Sequence, residues 1–226
     1  MEIIHGKIIN ITPEGLFIKA PYQNIERVCI RRYSTVEIGL NDGRFISTEQ
    51  RKKAYALMRE ISEYTGETAE LTKQQLKLDF IVNRMKALNK QIFSLSDCDM
   101  TTAREFITYL IDFILEYDIP TRQPLVSLCE DIEKYIYACL IHKKCCVCGQ
   151  AAELHHVERI GAGRNRDKIY QIGMLVLPCC RKHHSMAHSQ PQEDFNKLYH
   201  VKPIPLTKEI AKVYGLTKRN TEGQKR

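Results

Sequence analysis

No apolar run in this chain of 226 residues approaches the roughly 18 residues that a membrane-spanning helix requires, so an integral helical membrane protein is excluded. The opening Met1-Glu2-Ile3-Ile4-His5 lacks the basic-then-apolar layout of a secretory signal. The expectation is a soluble, cytoplasmic protein without membrane partners. Internal repeats and low-complexity stretches are also missing, which argues against solenoids and long flexible linkers. Acidic residues are in the minority: 27 Asp and Glu face 34 Lys and Arg, giving a formal charge of +7. That surplus favours polyanionic partners such as nucleic acid. With 43% hydrophobic residues, the chain carries enough apolar side chains for a true core.

The nine cysteines fall into two kinds. Cys29, Cys98, Cys129 and Cys139 are scattered through apolar text and read as small buried hydrophobes. Cys145, Cys146, Cys148, Cys179 and Cys180 sit in two tight groups flanked by histidines, which is metal-ligand spacing in a reducing compartment rather than a disulfide framework.

The first 46 residues read as short strands. Glu2 to Ile11 and Leu16 to Lys19 alternate around the turn signal Thr12-Pro13-Glu14-Gly15, and Thr35 to Leu40 precedes Asn41-Asp42-Gly43. From Ser47 the period becomes helical. Ser47 or Thr48 caps a helix whose face is Ala54, Leu57, Met58 and Ile61, ending at Gly66. Leu71 to Leu88 is amphipathic, Thr101 to Tyr117 opens with Thr101 or Thr102 as the cap, and Leu125 to Ile141 follows Pro124. From Lys202 onward the text is basic, with Lys202, Lys208, Lys212, Lys218, Arg219, Lys225 and Arg226 against Glu209 and Glu222. Thr207 to Tyr214 within it reads as a short helix. This tail is either a solvated end or an arm that touches DNA.

Chemistry concentrates between residues 145 and 188. Five of the eight histidines lie between His155 and His188. Cys145 and Cys148 form a C-x-x-C knuckle, and Cys180 and His183 a C-x-x-H knuckle; together they offer the four ligands of a closed tetrahedral structural zinc site. Cys146 and Cys179 are left free, because their spacings suit the knuckle turn less well, although a swap with their neighbours stays open. If Arg181 to Gln190 is a helix stopped by Pro191, His184 and His188 share one face and His183 points about 100° away, toward the cysteines. One helix then serves two metals. His155 and His156, on an extended segment, point to opposite sides, so one of them completes a three-histidine site while the other faces substrate.

These residues resemble the HNH, or ββα-metal, endonucleases, in the version with a His-His pair upstream and a His-x-x-x-His helix downstream. The resemblance covers about residues 140 to 200. It implies that His155 is a metal ligand with His184 and His188, and that His156 is the general base. A neutral imidazole, with a pKa of about 6.5, is suited to taking a proton from water at pH 7. It further implies a divalent ion such as Mg2+, Mn2+, Ni2+ or Zn2+ as Lewis acid at the scissile phosphate, beside the structural Zn2+. The resemblance departs at one point. The family carries an asparagine on the strand that enters the helix, and here that strand reads Gly173-Met174-Leu175-Val176-Leu177-Pro178. Asn165, in the loop Gly161-Ala162-Gly163-Arg164-Asn165-Arg166, is the only asparagine between His156 and Cys179. Arg164, Arg166 and Lys168 on this loop read as phosphate contacts beside the cut, Arg159 as a weaker candidate, and Glu153 and Glu158 as surface residues.

The text from Gly43 to Thr121, with Arg44-Phe45-Ile46-Ser47-Thr48-Glu49-Gln50-Arg51-Lys52-Lys53, is similar to NinB-like phage recombination proteins. That similarity implies DNA contacts at Arg44, Arg51, Lys52 and Lys53 and a role in phage DNA recombination or replication, in the host cytoplasm. DNA, single-stranded DNA and recombination proteins are the implied partners. The expected fold class is α+β. Residues 1–135 form a small sheet plus helices, 136–200 a zinc-stapled ββα nuclease domain, and 201–226 a basic tail. The leading function is a metal-dependent DNA endonuclease; the alternative is a non-catalytic zinc-containing DNA-binding recombination accessory protein.

Overall fold

The computed structural model describes residues 6–32, 43–84, 93–158 and 169–216. The turn signal at Thr12 to Gly15 closes a hairpin of β1 (Lys7–Thr12) and β2 (Gly15–Lys19), with a register shift between Ile8 and Asn10. Its apolar side chains, Ile9, Ile11 and Phe17 among them, are exposed, as are Ile25 and Ile30 of the short helix α1 (Ile25–Arg31). Among the described residues, this end contributes nothing to the buried core, which begins at Ile46. The strand expected at Thr35 to Leu40 lies outside the described residues.

Helix α2 (Thr48–Thr65) starts at Ser47, whose hydroxyl accepts from the Gln50 backbone while the Gln50 side chain accepts from the Ser47 backbone. This reciprocal box satisfies two of the helix's orphan donors. Ala54, Leu57, Met58 and Ile61 form its buried face, and Gly66 ends it in the left-handed region at φ 76°. Helix α3 (Ala69–Asp79) continues into a π-helical turn at Phe80–Arg84; the rest of the helix expected to reach Leu88 lies outside the described residues. Helix α4 (Met100–Glu116) is capped by Asp99, not by Thr101 or Thr102. The Asp99 carboxylate accepts from both the Thr102 backbone (2.8 Å) and its hydroxyl (2.6 Å), which a threonine cap could not match. Phe80 packs edge-on against Phe93 and Phe106 where α3 and α4 meet.

The single helix expected from Leu125 to Ile141 is interrupted. A 3-10 turn at Leu125–Ser127 is followed by α5 (Ile132–Ile141), because the Asp131 carboxylate captures the Lys134 backbone N–H and starts a new helix there. Beyond it, β3 (Glu153–His156) pairs antiparallel with β4 (Leu175–Cys179). Helix α6 (Arg181–Ser189) follows at once, and Pro191 opens a further helix, α7 (Gln192–Tyr199), that sequence reading had not foreseen. The segment from residue 201, read as the start of a tail, is packed instead: β5 (Ile204–Pro205) pairs with β4, and α8 (Lys208–Val213) buries Ile210 and Ala211. Val201, Ile204 and Leu206 are buried, with the exposed Pro205 between the last two on extended backbone. Residues 217–226 lie outside the described part. One continuous core runs from Ile46 to Ala211, and the boundary drawn at residue 135 falls inside α5, where Tyr135, Ile136, Cys139 and Leu140 are all buried in it. The protein is thus a mixed fold of helices with small sheets.

Candidate metal centres

The C-x-x-C knuckle is a turn. Cys145 leaves α5 through the left-handed Lys143, and the Gly149 N–H (φ 72°) donates to the Cys145 carbonyl at 2.8 Å, which curls Cys148 back toward Cys145. The second knuckle is the first turn of α6, where the His184 N–H donates to the Cys180 carbonyl and His183 rises on the same side as Cys180. The ligand atoms of Cys145, Cys148, Cys180 and His183 lie within 4.8 Å of one another. His183 Nδ1 is 3.4 Å from Cys145 Sγ and 3.2 Å from Cys180 Sγ, and the Cys148 and Cys180 sulfurs are 3.7 Å apart. Two sulfurs each about 2.3 Å from a tetrahedral zinc are separated by roughly 3.8 Å. The group therefore fits a closed zinc site. Cys146 and Cys179 are fully buried and lie outside this group of four.

Burial by itself raises the Cys180 thiol. The backbone N–H of His183 and the thiols of Cys148 and Cys145 outweigh it and bring Cys180 below its ordinary range, toward the thiolate a metal needs. Burial, and then Lys182, holds His183 below the usual imidazole range. That direction favours the neutral form, the one that coordinates.

The second group is His155, His184 and His188, again within 4.8 Å of one another. The ring centroids form a near-equilateral triangle of 5.0, 4.8 and 4.9 Å. Two causes produce it. The helix period places His184 and His188 one turn apart on α6, and the register of β3 on β4, with His155 opposite Leu177, aims His155 at that face. His155 is buried, and its Nδ1 has no hydrogen-bond partner among the described residues. An orphaned imidazole nitrogen beside two other imidazoles is costly unless something binds it. Burial holds His155 below the usual imidazole range, against the raising effect of its bond to Gln192, with His184 and His188 acting in the same direction as burial. The donor set thus suits a divalent ion.

Two neighbours were missed by sequence reasoning. Glu153, read as a surface residue, is exposed as expected, but it also lies on the same face of β3 as His155, with its Oε2 3.1 Å from His184 Nδ1. The His184 hydrogen bond, followed by Arg181, holds the Glu153 carboxyl below its ordinary range. Its signal was the i, i+2 spacing to His155. Gln192, on the unforeseen α7, has Oε1 3.0 Å from His155 Nε2. Pro191 followed by the acidic Glu193 and Asp194 was a legible helix start.

A family model described as "Putative HNHc nuclease" matches residues 23–217. The chain belongs to this HNH nuclease family. No curated protein and no solved structure matches it. In this HNH protein the remaining expected site residues fare differently. His156 is half-exposed as a residue, on the opposite face of β3 from His155, but both of its ring nitrogens are shielded from solvent. Arg159, Arg164, Asn165, Arg166 and Lys168 lie outside the described residues. Arg51 donates from Nη2 to the Ser96 carbonyl at 2.7 Å, Lys53 is paired with Glu130 at 2.6 Å, and Lys52 is exposed in the first turns of α2. Among the described residues, no helix is long and apolar enough to cross a membrane.

Proposed function

We propose that this HNH protein is a metal-dependent endonuclease that hydrolyses DNA phosphodiester bonds, acting in phage DNA recombination or replication in the host cytoplasm. The observation that supports it best is the use of α6 from two sides, with His183 among three cysteines and His184 and His188 beside His155. In this reading β3, β4 and α6 are the family's ββα-metal unit. Cys145, Cys148, Cys180 and His183 would hold structural Zn2+, and His155, His184 and His188 a catalytic Mg2+, Mn2+, Ni2+ or Zn2+. Bound there, the ion supplies charge neutralisation at the scissile phosphate and the departing 3′ oxygen.

The protein's own groups do the rest. His156, on the face of β3 opposite His155, takes the proton from the attacking water as its neutral imidazole. Arg181 and Lys182, exposed in the first turn of α6, draw the phosphate backbone toward the histidines. Arg164, Arg166 and Lys168 grip phosphates beside the cut, while Arg51 and Lys52 hold DNA farther away. In this reading residues 1–135 hold DNA, 136–200 cut it and 201–226 supply a basic end, roles distributed along one continuous core and not over separately folded units. The phage role rests on the NinB-like text around Ser47.

The non-catalytic accessory reading is favoured by one observation, the shielding of both His156 ring nitrogens. One experiment separates the two. Purified protein is incubated with plasmid, branched and single-stranded DNA plus magnesium, manganese or nickel, beside His156→Ala and His184→Ala. A nuclease cuts, and the His156→Ala rate falls about 100- to 10,000-fold, the range of a general base. Equal cutting by parent and His156→Ala would refute the base. An accessory protein cuts nothing, holds one metal per chain, and binds DNA equally well after His184→Ala.

A further inference from the structure

Gln192, the first residue of α7, reaches the histidine triangle, and its amide is held in one orientation. Its Nε2 donates to Asn196 Oδ1 at 2.8 Å, one helical turn on, so its Oε1 is the atom that faces His155 Nε2 at 3.0 Å. An amide oxygen only accepts, so the His155 proton sits on Nε2. The lone pair is then on Nδ1, the nitrogen that is buried without a hydrogen-bond partner among the described residues. A neutral imidazole has one donor and one acceptor nitrogen, and the partner of the first decides which of them a metal receives.

The same helix face is anchored elsewhere. Phe195 is fully buried, and the Tyr199 ring stands edge-on to His183 with centroids 5.2 Å apart. Residues 192, 195, 196 and 199 recur at helical spacing, so α7 is rigidly placed at both ends, against one ligand of each cluster.

We propose that Gln192, oriented by Asn196, is the positioning residue of the three-histidine site: it fixes His155 as the tautomer that presents Nδ1 to the ion. This rests on the metal-site reading above. Gln192 acts through His155 and touches neither substrate nor reacting atoms.

The test is cobalt binding to the full zinc-loaded chain, followed by calorimetry and by the visible absorption of the bound ion, for the parent, Gln192→Leu and Gln192→Glu. The parent takes up one cobalt at the histidines. Gln192→Leu, which keeps the volume and removes the acceptor, weakens that site about 10- to 100-fold, as losing an outer partner of a ligating histidine does. Gln192→Glu, which keeps an acceptor oxygen, returns the affinity to near the parent's. Zinc content stays at one per chain in all three, showing that α6 and α7 are folded. Leucine and parent affinities within twofold of each other would overturn the role of Gln192, as would a glutamate variant as weak as the leucine one. A parent that binds no cobalt would instead overturn the three-histidine metal site itself, and this inference with it.

Discussion

Helix α4 buries eight of its 17 residues, all of them apolar or aromatic, whereas α6 buries two of nine, His183 and Ala187. The first helix is held by area removed from water: it packs against α2, and Phe106, Ile107 and Leu110 share one buried core with Ala54, Leu57 and Ile61 of that helix. The second has too little apolar surface for that, and polar ligands converge where a core would be. The difference explains where function sits. A helix held by apolar packing has no chemistry to offer along its buried face, while a helix whose first turn carries donors that could hold one metal leaves its other histidines available for a second.

The comparison breaks most sharply at the cysteines. Cys180→Ala is expected to abolish zinc retention and amide protection across β3, β4 and α6 while α2 and α4 stay protected, read by metal analysis and hydrogen exchange. Structural zinc contributes about 10–16 kcal/mol in isolated fingers, more than any one apolar side chain, so the effect is the largest. Retained zinc or unchanged protection would sink the assignment. Phe106→Ala is the converse. Emptying that position costs about 3–5 kcal/mol in urea unfolding and leaves one zinc per chain in the folded fraction. A loss of zinc in that variant would mean that the two regions are not held by separate means. Tyr135→Phe probes the seam. The Tyr135 hydroxyl donates to the Cys146 carbonyl at 2.9 Å, joining α5 to the knuckle. Leaving that buried carbonyl unpaired is expected to cost about 1–3 kcal/mol. No change in urea midpoint would show that water or a rearrangement supplies the missing donor.

The helices were legible wherever a local pattern was complete. A cap at Ser47 or Thr48 and the apolar period of α2 came directly from residue types, because capping and amphipathicity act within a few residues. Asp99 was overlooked in favour of the threonines beside it, and the break before α5 because Asp131 sits in otherwise helical text. The packed segment from Val201 was hidden by the basic residues spread from Lys202 to Arg226, which masked the buried Val201, Ile204, Leu206, Ile210 and Ala211. Gln192 and Glu153 carried no metal-ligand signature; they act through a ligand, and that relation is visible only across the chain.

Spacing alone marked two groups of candidate ligands between residues 145 and 188, each with members on one helix, since C-x-x-C, C-x-x-H and His-x-x-x-His each describe positions within a single turn or two of backbone. Tertiary structure decided the choices that spacing left open. It turned Cys145 rather than Cys146 toward Cys180, and it aimed His155 rather than His156 at α6. It also brought Gln192 to His155. Those outcomes depend on the register of β3 against β4 and on the placing of α6 and α7, which are set by long-range pairing and burial.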